Sequence, residues 1–551
     1  MIPRLHNLAR VCVLFLGSGA LCVEPPSSGS VAEGAQPASL PGTSLFTTGM
    51  IPRLRIELEL SAMESLRQHP REFVAGKVSE GLAVYPQVGV HLKGSVGSFR
   101  SVDDKPGLTL DFCRFNEGQK FHGLRRIHLN NSVEDPSFAN EKLGSELFQA
   151  AGVPSPRVTR ATLVLNGRNL GLYVLKEGFT EDFLACHFKR VGAELYEPGE
   201  GHDIDQHLKR NSVLAPEENR EALKTLAAAA VEPDPARRWQ RLEAVLDTDR
   251  FSAFMAMEIM LGHRDGYCLA RNNFRVYHDL DTGKMVFFPH GMDQLLGTAD
   301  LPWQPSLAGL VAQAVMATPE GRQRYAAVFS CLFTNVFKAA ALTSRVDQLA
   351  MELRPVLSGS EWDGLRKEAA LVKERIVRRQ LCLKSQLARP LLKLLVFQAG
   401  AALLDGWLPA EAPANGKMDQ VIGLGNLPAL HIVAGAESLA SWRARALVRR
   451  GRYRFEGRAR VAGVQPLPSG LYQGAGLRVG GNARRTDSLI GDSSWRVLAA
   501  EFEVAQATEE VEFVCELRAR AGEAWFELNS LKLVPLMSYE NKSTFERVHA
   551  H

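Results

Sequence analysis

Neither sign of charge dominates this 551-residue sequence: 65 lysines and arginines stand against 61 aspartates and glutamates, a formal net of +4. So small and dispersed an excess gives no argument for the concentrated basic face that nucleic acid requires. A cysteine framework is missing too. Eight cysteines occur; Cys12 and Cys22 fall near the N-terminus, while Cys113, Cys186, Cys268, Cys331, Cys382 and Cys515 are scattered singly, with no Cys-x-x-Cys. That spacing argues against a structural zinc site and leaves most of them as small buried apolar residues, with room for one or two chance disulfides. No apolar run reaches the roughly 20 residues of a membrane-spanning helix, and no internal repeat stands out. What remains is a chain of ordinary apolar content, 45%, too long for one core, so two to four domains are expected.

The N-terminus departs from this pattern. Arg4 and Arg10 precede the apolar run Val11 to Leu16, which leads into Gly17-Ser18-Gly19-Ala20. A basic start, a short apolar stretch and small residues at cleavage spacing predict a secretory signal peptide over 1–22. A Pro/Ser/Gly/Ala-rich linker over 23–44 follows. The expected destination is outside the cytoplasm: secreted, periplasmic or at the cell surface. Cys22 raises lipidation, but Leu21 before it is not the small residue that lipoprotein signals carry.

Beyond the linker the pattern predicts an α+β domain over 45–395. Leu54 to Leu60 and Val88 to Leu92 alternate with period two, as half-buried strands do. Lys93 then runs into Gly94-Ser95-Val96-Gly97-Ser98 and on to a strand from Lys105 to Leu110: strand, glycine loop, strand. Asp135-Pro136-Ser137 can cap a helix from about Phe138 to Ala151. Asn166-Gly167 between alternating segments is a strong hairpin signal. Residues 215–262 read as helical, with Asp249 as a cap for the segment Phe251 to Leu261. A second hairpin turns at Asp281-Thr282-Gly283, and 319–387 has the spacing of about three helices. After a linker over 396–415, short alternating segments between glycines predict an all-β jelly-roll sandwich over 416–536, then a polar tail over 537–551.

The densest polar cluster is Gly262-His263-Arg264-Asp265, then Arg271-Asn272-Asn273, then Pro289-His290-Gly291-Met292-Asp293. A hairpin returns its chain ends to one place, so Asn272 and Asp293 are expected close together. Carboxylates with amide oxygens suit Mg²⁺ or Mn²⁺. Phosphoryl transfer needs metal ligands, a carboxylate to orient the attacking hydroxyl, and a lysine and glycine loop for the phosphates. Taken singly, these residues have plainer readings. Gly94 and Gly97 serve any turn. The His-Arg-Asp triplet has its following asparagine seven positions on rather than five, and lone aspartates after strands cap or solvate.

In combination the motifs resemble the CotH kinase family. The resemblance rests on RIHLNN from Arg126, the stretch from Asp135 to Arg157, LNGRNLGLYVLKE from Leu165, and Gly262 to Gly297. It implies an atypical protein-kinase-like two-lobed domain with a helical bundle at its C-terminal end, using ATP and a divalent metal to phosphorylate protein serines. It places the catalytic aspartate at Asp265 and a metal aspartate at Asp293; Asn272 or Asn273 can complete the metal site with a neutral oxygen, and Asn272 is the candidate carried forward. For the nucleotide it points to Gly94, Gly97 and Ser98 of the loop, to Lys105 with Glu141 as its ion-pair partner, and to Glu177 near the adenine. Glu141 and Glu177 read equally as surface salt-bridge partners. Many members end the second hairpin in Trp-Asp-Leu-Asp-Trp; Gly291 here leaves one carboxylate absent.

The C-terminal segment resembles galactose-binding-like and carbohydrate-binding jelly rolls. Trp442, Trp495 and Trp525 are candidates to stack on a cell-surface glycan, although tryptophans in sandwiches are more often core. Three functions stay open: an active exported kinase, an inactive surface or coat scaffold, and an adhesin working through the sandwich.

Overall fold

The computed structural model describes residues 40–536, apart from 200, 207, 211–219, 389–391, 393, 414, 423–426, 436–437, 468–472 and 481–484. The expected signal peptide, most of the linker after it and the polar tail lie outside the described residues. The chain divides after Ala388 into two compact units.

The first unit begins with α1 (Thr43–Thr47), β1 (Arg53–Glu57), α2 (Leu60–Gln68), β2 (Val74–Glu80), β3 (Ala83–Lys93), β4 (Gly107–Asp111) and β5 (Arg126–Asn130). Next come α3 (Asn140–Ala150), β6 (Val158–Leu165) and β7 (Arg168–Glu177). The seven strands close into a barrel in the order β1-β2-β3-β4-β5-β7-β6, with β6 returning to β1 as the parallel pair. Alternation decides which residues fill it: Leu54, Ile56, Val88, Val90, Leu92, Leu108, Leu110, Ile127, Leu129, Tyr173 and Leu175 form one buried cluster, and the intervening residues face outward. The first strand is shorter than its alternation predicts. Asn166, in the Asn-Gly turn of the β6–β7 hairpin, bonds both Leu58 N and Leu58 O through its side chain. That terminates the strand edge, and Leu60 instead opens α2, fully in solvent.

The rest of the unit is helical, with a small sheet. It comprises α4 (Glu181–Ala185), β8 (Leu195–Glu197), β9 (Lys209–Arg210), α5 (Glu221–Ala230), α6 (Pro235–Val245), α7 (Thr248–Leu261) and α8 (Tyr267–Ala270). The hairpin β10 (Phe274–Asp279) and β11 (Lys284–Pro289) follows, then α9 (Leu310–Met316), α10 (Pro319–Asn335), α11 (Ala339–Leu353) and α12 (Gly359–Leu387). The sheet order is β11-β10-β8-β9. Helix α7 is buried on nearly every side, so an all-round apolar sequence marks the centre of this core. Its cap is Asp247, which accepts from Arg250 N at 3.1 Å; the expected cap, Asp249, instead pairs with Arg324 at 2.6 Å. Among the described residues no single helix is long and apolar enough to cross a membrane.

The second unit is one hydrogen-bonded set of strands around its own core: β12 (Ala402–Leu403), β13 (Leu408–Ala410), β14 (Lys417–Ile422), β15 (Pro428–Val433), β16 (Ser438–Gln465), β17 (Gly474–Val479), β18 (Gly491–Ala519), β19 (Ala521–Glu527) and β20 (Lys532–Leu536). Two expectations fail here. The stretch taken as a linker over 396–415 carries β12 and β13, which pair with β20 and β16 and bury Trp407. The short strands expected between glycines are also segments of longer ones: β16 runs 28 residues through Gly451, Gly457 and Gly463. Register shifts bend its ladder with β18 without breaking it.

Candidate functional site

The outer face of the barrel supplies the floor of the site. Successive register pairs place His91 opposite Thr109, Thr109 opposite His128, and His128 opposite Lys176, a polar row across β3, β4, β5 and β7. Thr109 Oγ1 and His128 Nδ1 lie 3.0 Å apart. At the top of this row the Lys93 ammonium donates to Asn130 Oδ1. It reaches that oxygen across Gly107, where a Cβ would stand 3.1 Å from the lysine stem.

Helix α3 lies over this face. Lys176 shares its side of β7 with Leu172, which packs in the same core as Leu143, Leu147 and Phe148 of the helix. The Lys176 ammonium meets Glu141 Oε2 at 2.5 Å, with both side chains 2% exposed or less. Glu141 Oε1 also accepts from Met292 N at 2.5 Å, and Asn140 Nδ2 donates to Asp293 O at 2.7 Å. One turn of helix thus grips the barrel lysine and the loop after β11. Gly144 permits the contact, since a Cβ there would stand 2.9 Å from Leu295 and 3.0 Å from Met292.

The helical side brings in the aspartates. Glu258 near the end of α7 is fully buried and accepts from Tyr267 N and Cys268 N at 3.0 and 2.7 Å, fixing the turn that holds Asp265. Asp265 Oδ2 accepts from Asn272 Nδ2 at 3.0 Å and Asn273 Nδ2 at 2.7 Å, which leaves Oδ1 uncommitted to either amide. His290 N donates to Asn273 O at 2.8 Å, and His263 Nε2 lies 3.0 Å from Gly291 O. The loop carrying Asp293 is therefore tied to the loop carrying Asp265. Gly291 has φ +56°, and a Cβ there would meet the Asn273 amide at 2.4 Å. No longer side chain fits at position 291 while Asn273 keeps this place.

The glycine loop closes the mouth. Asn131 Nδ2 donates to Ser98 O and Lys105 O, both at 2.9 Å, pinning its two ends together. Gly94 and Gly97 have φ of +115° and +92°, values that L side chains rarely adopt. Ser98 Oγ accepts from Ser95 N at 3.1 Å inside the loop.

Electrostatics bind these pieces into one site. Burial first, and then the Lys176 charge, pull the Lys93 ammonium down to about 7, against the opposing pull of Glu141 and Asp293. Burial and the Glu141 charge push the Asp293 carboxyl up, while Lys176 and Lys93 act the other way. Groups perturbed by burial and by one another's charge, gathered around one loop, make this cluster the candidate site.

Two sequence expectations need correcting. Lys105 does not pair with Glu141: its ammonium lies 5.2 Å from the Tyr173 ring and 5.4 Å from Phe138, and Lys176 takes the glutamate. Glu177 is one residue on, so it points to the other side of β7, where Arg157 holds its carboxylate at 2.5 Å. The signal for Lys176 in the sequence is parity: Leu172, Val174 and Lys176 alternate along one side of β7, which puts that lysine on the helix-facing side.

Among the described residues no group of three or more His, Cys, Asp and Glu is placed to hold a metal ion. The donors present are two carboxylates and asparagine amide oxygens. They fit an ion such as Mg²⁺, which is commonly held by one or two carboxylates together with substrate phosphates and waters. Buried atoms without a hydrogen-bond partner, Asn140 Oδ1 and His290 Nδ1, stand at the same place.

In the second unit, Trp442 is core, its Nε1 donating to His431 O at 3.2 Å. Trp525 has His431 stacked at 4.7 Å from one neighbouring strand and Arg460 at 4.0 Å from the other, so both ring faces are covered. Trp495 lies near Arg458 and Arg460, at 5.7 and 5.9 Å.

The model of the CotH kinase protein family matches residues 90–374, more than half of the chain. Inner spore coat protein H of Bacillus subtilis (strain 168) is 25% identical over 195 residues, which cover 33% of this chain and 53% of that protein. Invasin CotH2 of Rhizopus delemar is 24% identical over 267 residues, covering 43% and 44%. The chain spans about half the length of these curated relatives. Among solved structures, the Shewanella oneidensis MR-1 HipA–HipB–operator DNA complex has a TM-score of 0.26 at 12% identity, covering 63% of this chain and 76% of that one. TmCBM61 in complex with beta-1,4-galactotriose has a TM-score of 0.18 at 15% identity, covering 24% and 91%. At those scores neither likeness bears on function.

Proposed function

The chain belongs to the CotH kinase protein family, and from that premise we propose that it is an exported protein kinase that moves the γ-phosphoryl group of ATP to a serine hydroxyl of a protein, its own chain included. One observation carries the reading: the buried Lys176–Glu141 pair, Lys93, Asp293 and the glycine loop converge at one mouth, with Asp265 tied to the same loops. A buried ion pair is costly to keep, and phosphate binding is a reason to keep it. In this reading the barrel and the helical part are the two lobes of the kinase.

In the proposed step the serine oxygen attacks the γ-phosphorus, the bond from that phosphorus to the β,γ-bridging oxygen breaks, and ADP leaves. The hydroxyl proton passes to Asp265, whose Oδ2 is held by two amides and whose Oδ1 faces the hydroxyl. Lys93 and Lys176 hold phosphate oxygens. Asp293 and the Asn272 amide oxygen would hold Mg²⁺ or Mn²⁺, which supplies neutralisation of charge on the phosphates. Relatives named as a spore coat protein and an invasin support a place at a surface, as the N-terminal sequence does.

Gly291 favours a second reading, an inactive surface or coat scaffold, because the Asn273 amide occupies the space where a carboxylate would start. Two measurements on the full chain separate them. ATP with Mg²⁺ at 100 times its dissociation constant should stabilise the kinase by about 2.7 kcal/mol. Transfer of label from ATP should vanish in Asp265→Ala and Asp293→Ala with melting temperature preserved. No shift and no transfer would establish the scaffold.

A further inference from the structure

Arg379, on α12, has no part in the step above and is fully buried. Among the described residues its partners are four backbone carbonyls and no carboxylate. Nε donates to Met260 O at 3.1 Å and Nη2 to Ile259 O at 2.7 Å, both in the last turn of α7. Nη1 donates to Ala299 O at 3.0 Å and to Leu301 O at 2.5 Å, in the segment that follows Asp293. Further along α12, Gln386 clasps the same segment: its Oε1 accepts from Trp303 N at 2.7 Å, and its Nε2 donates to Leu301 O at 3.3 Å. Burial pulls the Arg379 guanidinium down to about 10, against the opposing pull of Tyr325, Cys382 and Asp300, so it stays a cation at neutral pH.

A buried cation without a counter-ion is costly to keep, and the end of a helix does not need one. Gly262, in the left-handed conformation, already gives its amide to Ile259 O. What the planar fork of an arginine adds is geometry, because its fixed donors hold two chain segments at one distance and one angle. The two segments joined here carry the two acids. Helix α7 leads into the loop of Asp265, residues 299–301 follow the loop of Asp293, and between them Leu296 N donates to Leu261 O at 2.7 Å. We infer that Arg379 is a positioning residue for this site, holding Asp265 and Asp293 at their working separation from within the core, without touching substrate or metal. This rests on the kinase reading and adds to it a residue from a helix that supplies none of the groups in the step.

The test is steady-state turnover of ATP with Mg²⁺ by the full chain, read as ADP formed, at a temperature where melts show each variant folded. The chains compared are wild type, Arg379→Lys, Arg379→Met and Arg378→Ala. Lysine keeps the charge but not the fork, so both Arg379 variants should lose about 100-fold in kcat, the cost of a displacement of about 1 Å at a reacting centre. KM for ATP should change little, because Lys93, Lys176 and the glycine loop are untouched. Arg378, exposed and paired with Glu374, should leave both constants as in wild type. Full kcat in either folded Arg379 variant overturns the inference, because a residue that only packs the core lowers the melting temperature and no more. A rise in KM without a fall in kcat overturns it too. If neither variant folds, Gln386→Leu decides, since it loosens the segment after Asp293 and leaves no buried charge: kcat should fall with KM held, and an unchanged kcat overturns the inference. Wild type that forms no ADP overturns the kinase reading, and this inference with it.

Discussion

Two polar rows cross β-strands in this molecule, one in each unit, and they end differently. In the second unit Asp419, His431, Trp525 and Arg460 stand opposite one another on β14, β15, β19 and β16. Every member is answered within the row or beside it: His431 lies 3.0 Å from Asp419 and 2.8 Å from Glu523, and Trp525 is covered on both faces. In the first unit His91, Thr109, His128 and Lys176 run across β3, β4, β5 and β7. That row ends on a buried lysine shared with one carboxylate, beside a second lysine, in a neighbourhood that keeps unpartnered atoms. A row whose bonding capacity is used up stabilises a sheet. A row with capacity to spare, held out of water at a cost, points to a ligand.

The largest effect should come from breaking the buried pair. Lys176→Met leaves Glu141 charged with only the Met292 amide as a partner, and Glu141→Ala leaves the Lys176 ammonium without its counter-ion; each should cost about 3–5 kcal/mol of unfolding free energy in denaturant melts. Lys176→Met with Glu141→Leu removes both charges and should be more stable than either single variant. All three should lose the stabilisation given by ATP and Mg²⁺. Single variants costing less than about 1 kcal/mol, the range of exposed pairs, would erase the contrast between the two rows.

Lys93 gives a smaller, pH-dependent signal. Its folded value, about 7, lies below the ordinary lysine range, so between those limits the unfolded chain binds more protons than the folded one. Stability should therefore rise with pH across that window, and Lys93→Met should flatten the rise. Phosphate binding has the opposite sign, because it needs the protonated ammonium: ATP affinity should fall as pH climbs past about 7, and Lys93→Met should remove that fall. Parallel profiles for wild type and variant would show that Lys93 does not face the phosphates.

Local chemistry made much of this legible in the sequence. Asn166-Gly167, the turn at Asp281 to Gly283 and the Asp135 cap each act within a few residues, and the structure has a hairpin, a hairpin and a helix there. Hairpin closure alone led to the expectation that Asn272 lies near Asp293; the tie to that loop is made by the next residue, Asn273, whose carbonyl accepts from His290 N. The lysine of the ion pair was not legible in this way. Which lysine meets Glu141 depends on which barrel face α3 covers, and that is set by packing between segments far apart in sequence. Nearness to the glycine loop suggested Lys105, whose ammonium instead lies over the Tyr173 ring. In the second unit the glycines read as strand breaks because periodicity does not tell a turn from a bend; Gly451, Gly457 and Gly463 bend one strand.

The smallest effect tests the other side of the comparison. Arg460 lies 4.0 Å from the Trp525 ring, at a solvent-facing position where a cation–π contact is worth about 0.5–1 kcal/mol. Arg460→Gln should cost about that much in melts of the full chain, and the stabilisation by ATP and Mg²⁺ should be unchanged. A loss above about 2 kcal/mol, the range for desolvated contacts, would mean that the sheet row also holds charge at a price in solvation. The two rows would then differ only in what each binds, and the search for a ligand would have to include the face around Trp525 and Trp495.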